Sequence, residues 1–190
     1  MMEIVSGKAR GVTLHSPAWD GVRPTSVRAR KALFDSLGDL SGVVFADLFA
    51  GVGTVGLEAA SRGASVVLFV DSSSASLKTL GRNAEKVRRL GVETDFRILH
   101  GSLPALSGRL AAEVRPAYIF ADPPYEESVD LLSALTEDEA FRNWASDSVL
   151  IWELPENCRD GLRPFAFPWT LKALKKLGPA RFLFLEQARG

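Results

Sequence analysis

One stretch limits what this chain can fold into more than any other. Val43-Val44-Phe45-Ala46-Asp47-Leu48-Phe49 is an apolar run carrying a single acid, and Ala50-Gly51-Val52-Gly53-Thr54-Val55-Gly56 follows it directly. An apolar run, a glycine-rich turn and the start of a helical pattern make the strand–loop–helix opening of a nucleotide-type α/β domain. Gly51 and Gly53 let the backbone turn tightly and approach a ligand, because neither carries a Cβ. Gly56 lets the new helix lie close to the strand. The spacing fits dinucleotide loops and S-adenosylmethionine (SAM) loops equally well, so the residues downstream must decide between them.

The rest of the chain repeats the pattern. After the first strand, 43–47, and its helix, 53–62, a nearly continuous Val, Leu and Phe run at 65–71 reads as a strand covered on both faces. A helix at 73–90, a strand at 95–100, a short helix at 103–112, a strand at 117–122, a helix at 128–140 and a strand at 148–154 follow. Two further strand-like runs, 171–174 and 182–186, flank Gly178-Pro179 and suggest a terminal antiparallel hairpin. Upstream, residues 3–21 read as a short hairpin or loop-rich arm. A helix capped by Thr25 or Ser26 then runs to about Leu37, with Val27, Lys31 and Phe34 on one possible face. Strands alternating with helices imply a Rossmann-like α/β fold with a mainly parallel, seven-stranded sheet. The antiparallel strand lies at its C-terminal end, and a hairpin and helix extend it at the N-terminus. We divide the chain into an arm and helix over 1–40 and a catalytic domain over 41–190, within one globular unit.

Composition narrows the class. The longest apolar run, 66–70 in a chain of 190 residues, is far too short to span a bilayer. No charged segment followed by an apolar one opens the chain, so a cytoplasmic protein with no membrane partner is expected. Cys158 stands alone and reads as a small core residue, and without a Cys/His cluster no metal site is expected. Net charge is zero but unevenly placed: residues 1–31 carry +4 and residues 159–190 carry +5, which leaves −9 in the middle. Basic ends flanking an acidic middle form a phosphate-binding surface if the ends meet in space.

Three acids fall at predicted strand ends, where ligands of such sheets bind: Asp47, Asp71 and Asp122. Asp71 stands at the place of a ribose-binding acid and serves NAD and SAM alike. Asp47 discriminates, because a carboxylate beside the glycine loop repels a pyrophosphate but suits the ammonium of a methionyl group. Asp122-Pro123-Pro124-Tyr125 is the decisive stretch. An exocyclic amine on a base is a poor nucleophile, since its lone pair is delocalised into the ring. The Asp122 carboxylate and the Pro123 carbonyl can each accept one N–H and so aim the nitrogen at a methyl group. Two prolines fix the backbone and offer no competing N–H. Tyr125 gives a flat face for stacking, worth about 1–3 kcal/mol per base. The target base must then be unpaired or flipped out.

With these residues in view, the chain resembles the bacterial 16S rRNA guanine-N2 methyltransferases of the RsmD type, which are class I SAM-dependent enzymes. The resemblance rests on 7–11 (Gly-Lys-Ala-Arg-Gly), 21–25 (Gly-Val-Arg-Pro-Thr), 28–34, 47–51, 56–64, Asn83 and 122–125. It implies transfer of a methyl group from SAM to the N2 amine of a guanine in small-subunit rRNA, free or within the small ribosomal subunit; nothing in the sequence suggests an obligate oligomer, and a monomer is expected. By position, Asp47, Gly51 and Gly53 line the methionyl part, Asp71 the ribose, and Ser102 and Leu103 the adenine, with Phe49 and Ser72 also in the cofactor site. Asp122, Pro123 and Tyr125 hold the guanine, and Arg10, Arg23, Thr25 and Arg28 face the RNA. The family often has acids where this chain has Val27 and Lys31, a large apolar residue where it has Ser72, and an acid where it has Ser102. The competing readings are an N6-adenine DNA methyltransferase, which normally needs a further recognition domain, and a non-catalytic RNA- or ribosome-binding module on the same fold.

Overall fold

The computed structural model describes residues 2–16, 26–154, 168–178 and 180–188. Seven strands, β1 (Val44–Leu48), β2 (Val66–Asp71), β3 (Asp95–His100), β4 (Tyr118–Ala121), β5 (Val149–Leu154), β6 (Trp169–Leu177) and β7 (Ala180–Gln187), form one sheet in the order β3-β2-β1-β4-β5-β7-β6. The first five are mutually parallel, and β7 runs antiparallel to both β5 and β6. This is the expected α/β architecture, with the chain reversing direction from the middle of the sheet at β1 and β4. The order opens a crevice at that switch point, beyond the carboxyl ends of the strands.

Helices cover both faces. α1 (Val27–Leu37), α2 (Thr54–Ser61) and α3 (Ser74–Arg88) pack on one side, where Phe34, Leu57, Leu80 and Val87 meet Phe45, Val67, Phe69 and Phe182. α4 (Ser107–Leu110), α5 (Ser128–Glu137) and α6 (Glu139–Trp144) pack on the other, where Leu110, Leu135, Phe141 and Trp144 meet Leu48, Leu68, Ile119, Leu150 and Trp152. Strands buried on both faces explain why their sequences run apolar without alternation. No described helix is long and apolar enough to cross a membrane.

Three local expectations change. The buried face of α1 is Ala29, Arg30, Leu33 and Phe34, while Val27 is 39% exposed and Lys31 pairs with Asp35 at the surface. Sequence spacing missed this face because a charged residue, Arg30, occupies part of it. The single helix expected over 128–140 is two helices. Asp138 breaks it by turning its backbone extended and capping α6 through Phe141 N at 2.7 Å. The short helix expected over 103–112 is confined to Ser107–Leu110. Ser26 caps α1 through Ala29 N at 3.1 Å, and the terminal hairpin is longer than its apolar runs indicate.

The arm over 2–16 is docked rather than extended. Its Glu3 and Thr13 form an antiparallel bridge, and Ile4, Ala9 and Leu14 are buried in the same core as α1 and α2. Gly7 needs its positive φ of 79° and its missing side chain here, since a Cβ would fall 1.8 Å from the Ser61 carbonyl oxygen.

Candidate functional site

The site is built where β1 passes into α2. Asp47 is buried at the end of β1, and its carboxylate accepts from Gly56 N, in the first turn of α2, at 2.8 Å. It thus closes the loop from below and supplies an acceptor that the uncapped Gly53 cannot. Gly51 (φ 54°) and Gly53 (φ 85°) hold the turn between them in the left-handed region. A Cβ on Gly51 would meet nothing within 4 Å, so the loop presents open backbone there. A Cβ on Gly56 would fall 2.3 Å from the Phe69 ring, which accounts for the third glycine by helix–strand packing.

Asp71, at the end of β2, stitches the neighbouring loop to this one. Its Oδ2 accepts from Gly51 N and its Oδ1 from Ser73 N, both at 2.7 Å. Each oxygen keeps a further lone pair for a ligand hydroxyl. Asp122 follows β4, the other neighbour of β1, so the three acids surround the crevice. Burial pushes the Asp47 carboxyl up to about 8, opposed by its Gly56 hydrogen bond and reinforced by the negative charges of Asp71 and Asp122.

After Asp122 the chain turns through Pro123 and Pro124. Pro124 O accepts from Glu127 N at 3.1 Å and Tyr125 O from Ser128 N at 3.4 Å, which starts α5. The Pro123 carbonyl accepts from no backbone N–H among the described residues. It is therefore available beside the Asp122 carboxylate. The Tyr125 side chain is 51% exposed at the rim.

Phe49 is held at φ 63°, a left-handed conformation that costs an aromatic residue on the order of 1–3 kcal/mol. Its ring meets Trp152 of β5 edge-on, with centroids 6.1 Å apart, so it reaches past the end of β4. Trp152 is fixed in turn by donating to Ser128 Oγ at 2.9 Å. This wall joins the glycine loop to the first turn of α5, and nothing in the spacing of Phe49, Ser128 and Trp152 announces it.

On the β3 side, Leu103 is buried while Ser72 and Ser102 are exposed. Ser72 gives its carbonyl to the His100 ring at 3.0 Å. The structure thus brings together Asp47, Phe49, Gly51, Gly53, Asp71 and the 122–125 turn at one edge, with Ser72, Ser102 and Leu103 beyond β2 and β3.

The expected RNA-facing residues do not gather with them. Arg23 and Thr25 lie outside the described residues, as does Cys158. Arg10 is exposed in the turn of the arm, whose backbone is pinned to the far end of α2: Lys8 N donates to Ser61 O at 2.8 Å and Ala9 N to Ser61 Oγ at 2.9 Å. That end of α2 lies at the amino edge of the sheet, about 12 Å from the site by helix rise. Arg28 stands at the start of α1 beside the β6–β7 turn. One residue links the arm to the site from within. Buried Asn83 of α3 accepts from His15 N at 2.7 Å and donates through Nδ2 to both His15 O at 3.1 Å and Val52 O at 3.0 Å. A lone Asn late in an amphipathic helix gave no sign of this bridge beyond its polarity.

Residues 2–160 match the protein family described as conserved hypothetical protein 95. Ribosomal RNA small subunit methyltransferase D of Escherichia coli strain K12 is 30% identical over 199 aligned positions, which span 100% of this chain and 92% of that protein. The structure of a hypothetical protein from Thermus thermophilus superposes with a TM-score of 0.72 at 30% identity, covering 99% of this chain and 100% of the other. The ribosomal protein L11 methylase of Lactobacillus delbrueckii subsp. bulgaricus shares the fold at 16% identity, with a TM-score of 0.57 and coverage of 85% and 78%.

Proposed function

This chain belongs to the conserved hypothetical protein 95 family, the family of small-subunit rRNA methyltransferase D, and from that membership we propose that it transfers a methyl group from SAM to the exocyclic N2 amine of a guanine in 16S rRNA. The observation that carries the acceptor chemistry is the pairing of Asp122 with the Pro123 carbonyl at the end of β4, next to the glycine loop.

The crevice fits SAM. Open backbone at Gly51 leaves room for the methionyl part, and Asp71 retains two lone pairs for the ribose hydroxyls. Asp71 and Asp122 make the surroundings negative, which suits a cation and disfavours a pyrophosphate. Bound there, SAM supplies an electrophilic methyl carbon on a sulfonium.

The protein then has to orient and desolvate. Asp122 and the Pro123 carbonyl each accept one N–H of the guanine amine, which turns its lone pair toward the methyl carbon. A nitrogen–carbon bond forms as the carbon–sulfur bond breaks, with its electron pair left on sulfur. The methylated nitrogen gives up one proton, for which the Asp122 carboxylate stands ready. Tyr125 stacks on the flipped base, and the Phe49–Trp152 wall holds the two halves of the site at a fixed spacing. Orientation of this kind supplies up to about 7–11 kcal/mol of barrier lowering without a metal or a covalent enzyme intermediate.

The test is direct. Labelled SAM is incubated with the protein and unmodified small subunits, naked small-subunit rRNA or duplex DNA, and the methylated base is mapped. N2-methylguanine in the small-subunit rRNA is expected. Methylation of adenine in DNA, or SAM binding with no transfer to any of the three, overturns the proposal.

A further inference from the structure

The two basic ends of the chain meet in space, and where they meet has a consequence. Because β5 and β6 both run antiparallel to β7, β6 points the same way as the parallel strands. Its end, the turn after Leu177 and the start of β7 therefore lie at the carboxyl edge. The register fixes this: Leu154, the last residue of β5, sits opposite Arg181, and Arg181 sits opposite Lys176. α1 reaches the same turn, since a Cβ on Gly178 would lie 3.5 Å from Arg28 Cγ and 3.6 Å from Ala29 N. Arg28, on the α1 face of the sheet, and the Lys176–Arg181 pair, on the opposite face, thus flank one corner. By sheet order that corner lies on the β4 side of the crevice, the side of Asp122, and away from the β2 and β3 side where SAM fits. Three strand spacings of about 4.8 Å separate β4 from β6.

The corner differs from ordinary charged surface. Elsewhere on the hairpin the cations are engaged: Lys172 pairs with Glu186 at 2.7 Å and Lys175 lies over the Phe184 ring at 4.5 Å. On α1, Lys31 pairs with Asp35. Arg28 and Lys176 are exposed and make no ion pair among the described residues. Lys176 stands directly across from another cation, Arg181, which concentrates positive charge at the end of the hairpin.

We propose that this corner, Arg28 with Lys176 and Arg181, holds the phosphate backbone of the RNA strand that presents the target base. The inference rests on the proposed rRNA methyltransferase function. It moves the main backbone contact from the arm turn, at the amino edge, to the junction of α1 with the β6–β7 hairpin. Phosphates flanking a flipped base would run from the Asp122 turn across the ends of β5 and β7 to this corner, which positions the strand without reading its sequence.

The experiment uses the whole protein and a naked small-subunit rRNA transcript, with binding measured across a salt series without methyl transfer. The double variant Arg28→Glu/Lys176→Glu is expected to bind at least about 10-fold more weakly, with the slope of log K against log salt reduced by about 1–2. Its fold should be unharmed, because Lys176→Glu turns a like-charge pair with Arg181 into an opposite-charge one, and calorimetry should give unchanged SAM affinity. Arg10→Glu, at the amino edge, should bind RNA within about 2-fold of wild type. Unchanged affinity and slope in the double variant overturn the proposal, and so does an Arg10→Glu loss as large as the double variant's. Should the wild type neither bind nor methylate the rRNA, the functional reading falls, an outcome distinct from a wild type that methylates while the double variant binds equally well.

Discussion

The molecule handles buried acid in two opposite ways at the two ends of its sheet. At the carboxyl edge burial, with the charges of Asp71 and Asp122 nearby, raises the proton affinity of Asp47. At the amino edge Glu58, wholly buried on α2, is surrounded by donors. It accepts from Val5 N at 2.7 Å, Ser6 N at 3.0 Å and Arg62 Nε at 2.9 Å, and lies 3.8 Å from Arg30 Nε. Arg30 in turn donates to Glu3 O, and Arg62 reaches Asp35 and the face of Phe34. One cluster concentrates like charge beside an open loop. The other neutralises its charge and ties the arm, α1 and α2 into one body. Like charge gathered beside an open loop is suited to a ligand, whereas charge paired between elements is scaffold.

The sharpest break in this comparison is at the acceptor. Asp122→Asn keeps the shape of the turn but replaces an anionic acceptor by an amide that can also donate. Turnover is expected to fall by about 10²–10⁴-fold, with SAM affinity and thermal stability nearly unchanged. Loss of SAM binding in this variant, measured by calorimetry, would place Asp122 with the cofactor and merge two roles that the proposed mechanism keeps apart.

Asp47 tests the other half of the carboxyl edge through pH. Its folded pKa, about 8, lies above the unfolded value near 4. The protein therefore binds a proton here that the unfolded chain gives up, and this contribution is fully present below about pH 4 and lost as pH rises to about 8. Asp47→Asn keeps an oxygen to accept from Gly56 N and carries no charge. The variant should match wild type near pH 4 and become progressively more stable through pH 8, by up to about 5 kcal/mol from one pKa unit being worth 1.36 kcal/mol. Denaturant melts at pH 4, 6 and 8.5 measure the separation, and a variant less stable than wild type at pH 8.5 would show that Asp47 is held as an anion. At the amino edge the sign reverses. Glu58→Ala removes the partner of one buried and one half-buried guanidinium group, Arg30 and Arg62, and of two backbone N–H groups, and should cost about 3–5 kcal/mol at neutral pH.

The same division explains what could be read from the sequence. The strands, the glycine loop and the three strand-end acids were legible because each follows a local rule: apolar runs, fixed glycine spacing, an acid where a strand stops. Gly56 against Phe69 is such a rule made visible. The buried face of α1 was not legible, because Arg30 reads as polar unless Glu58, twenty-eight positions later, is known to meet it. Nor were the Asn83 bridge from His15 to Val52 and the Phe49–Trp152–Ser128 wall, whose members come together only through the sheet order. Positive charge concentrates at both ends of the sequence, but net charge does not show that Arg10 and Lys176 belong to opposite edges, nor that Arg30 is core.

The smallest effect distinguishes a docked arm from a loose one, and two glycines four residues apart supply the contrast. Gly7 and Gly11 both have positive φ, 79° and 82°. Replacing either by Ala forces an L side chain into the left-handed region, a cost of about 1–2 kcal/mol. Only at Gly7 does the new Cβ also meet the core, 1.8 Å from Ser61 O, while at Gly11 it meets nothing within 4 Å. The Gly7 clash is with helical backbone, which cannot rotate aside, so the arm must lift from α2 and lose the Lys8 N to Ser61 O bond with it. Gly7→Ala should therefore cost about 1–3 kcal/mol more than Gly11→Ala. Denaturant midpoints for the two variants give that difference directly. Equal midpoints would mean that the arm turn does not bear on α2, and would remove the amino edge as the compensated half of the comparison. If the difference appears, SAM affinity gives the finer reading. Lifting the turn at Gly7 leaves the His15–Asn83–Val52 bridge intact at the other end of the arm, so Gly7→Ala should bind SAM as wild type does even while it melts earlier.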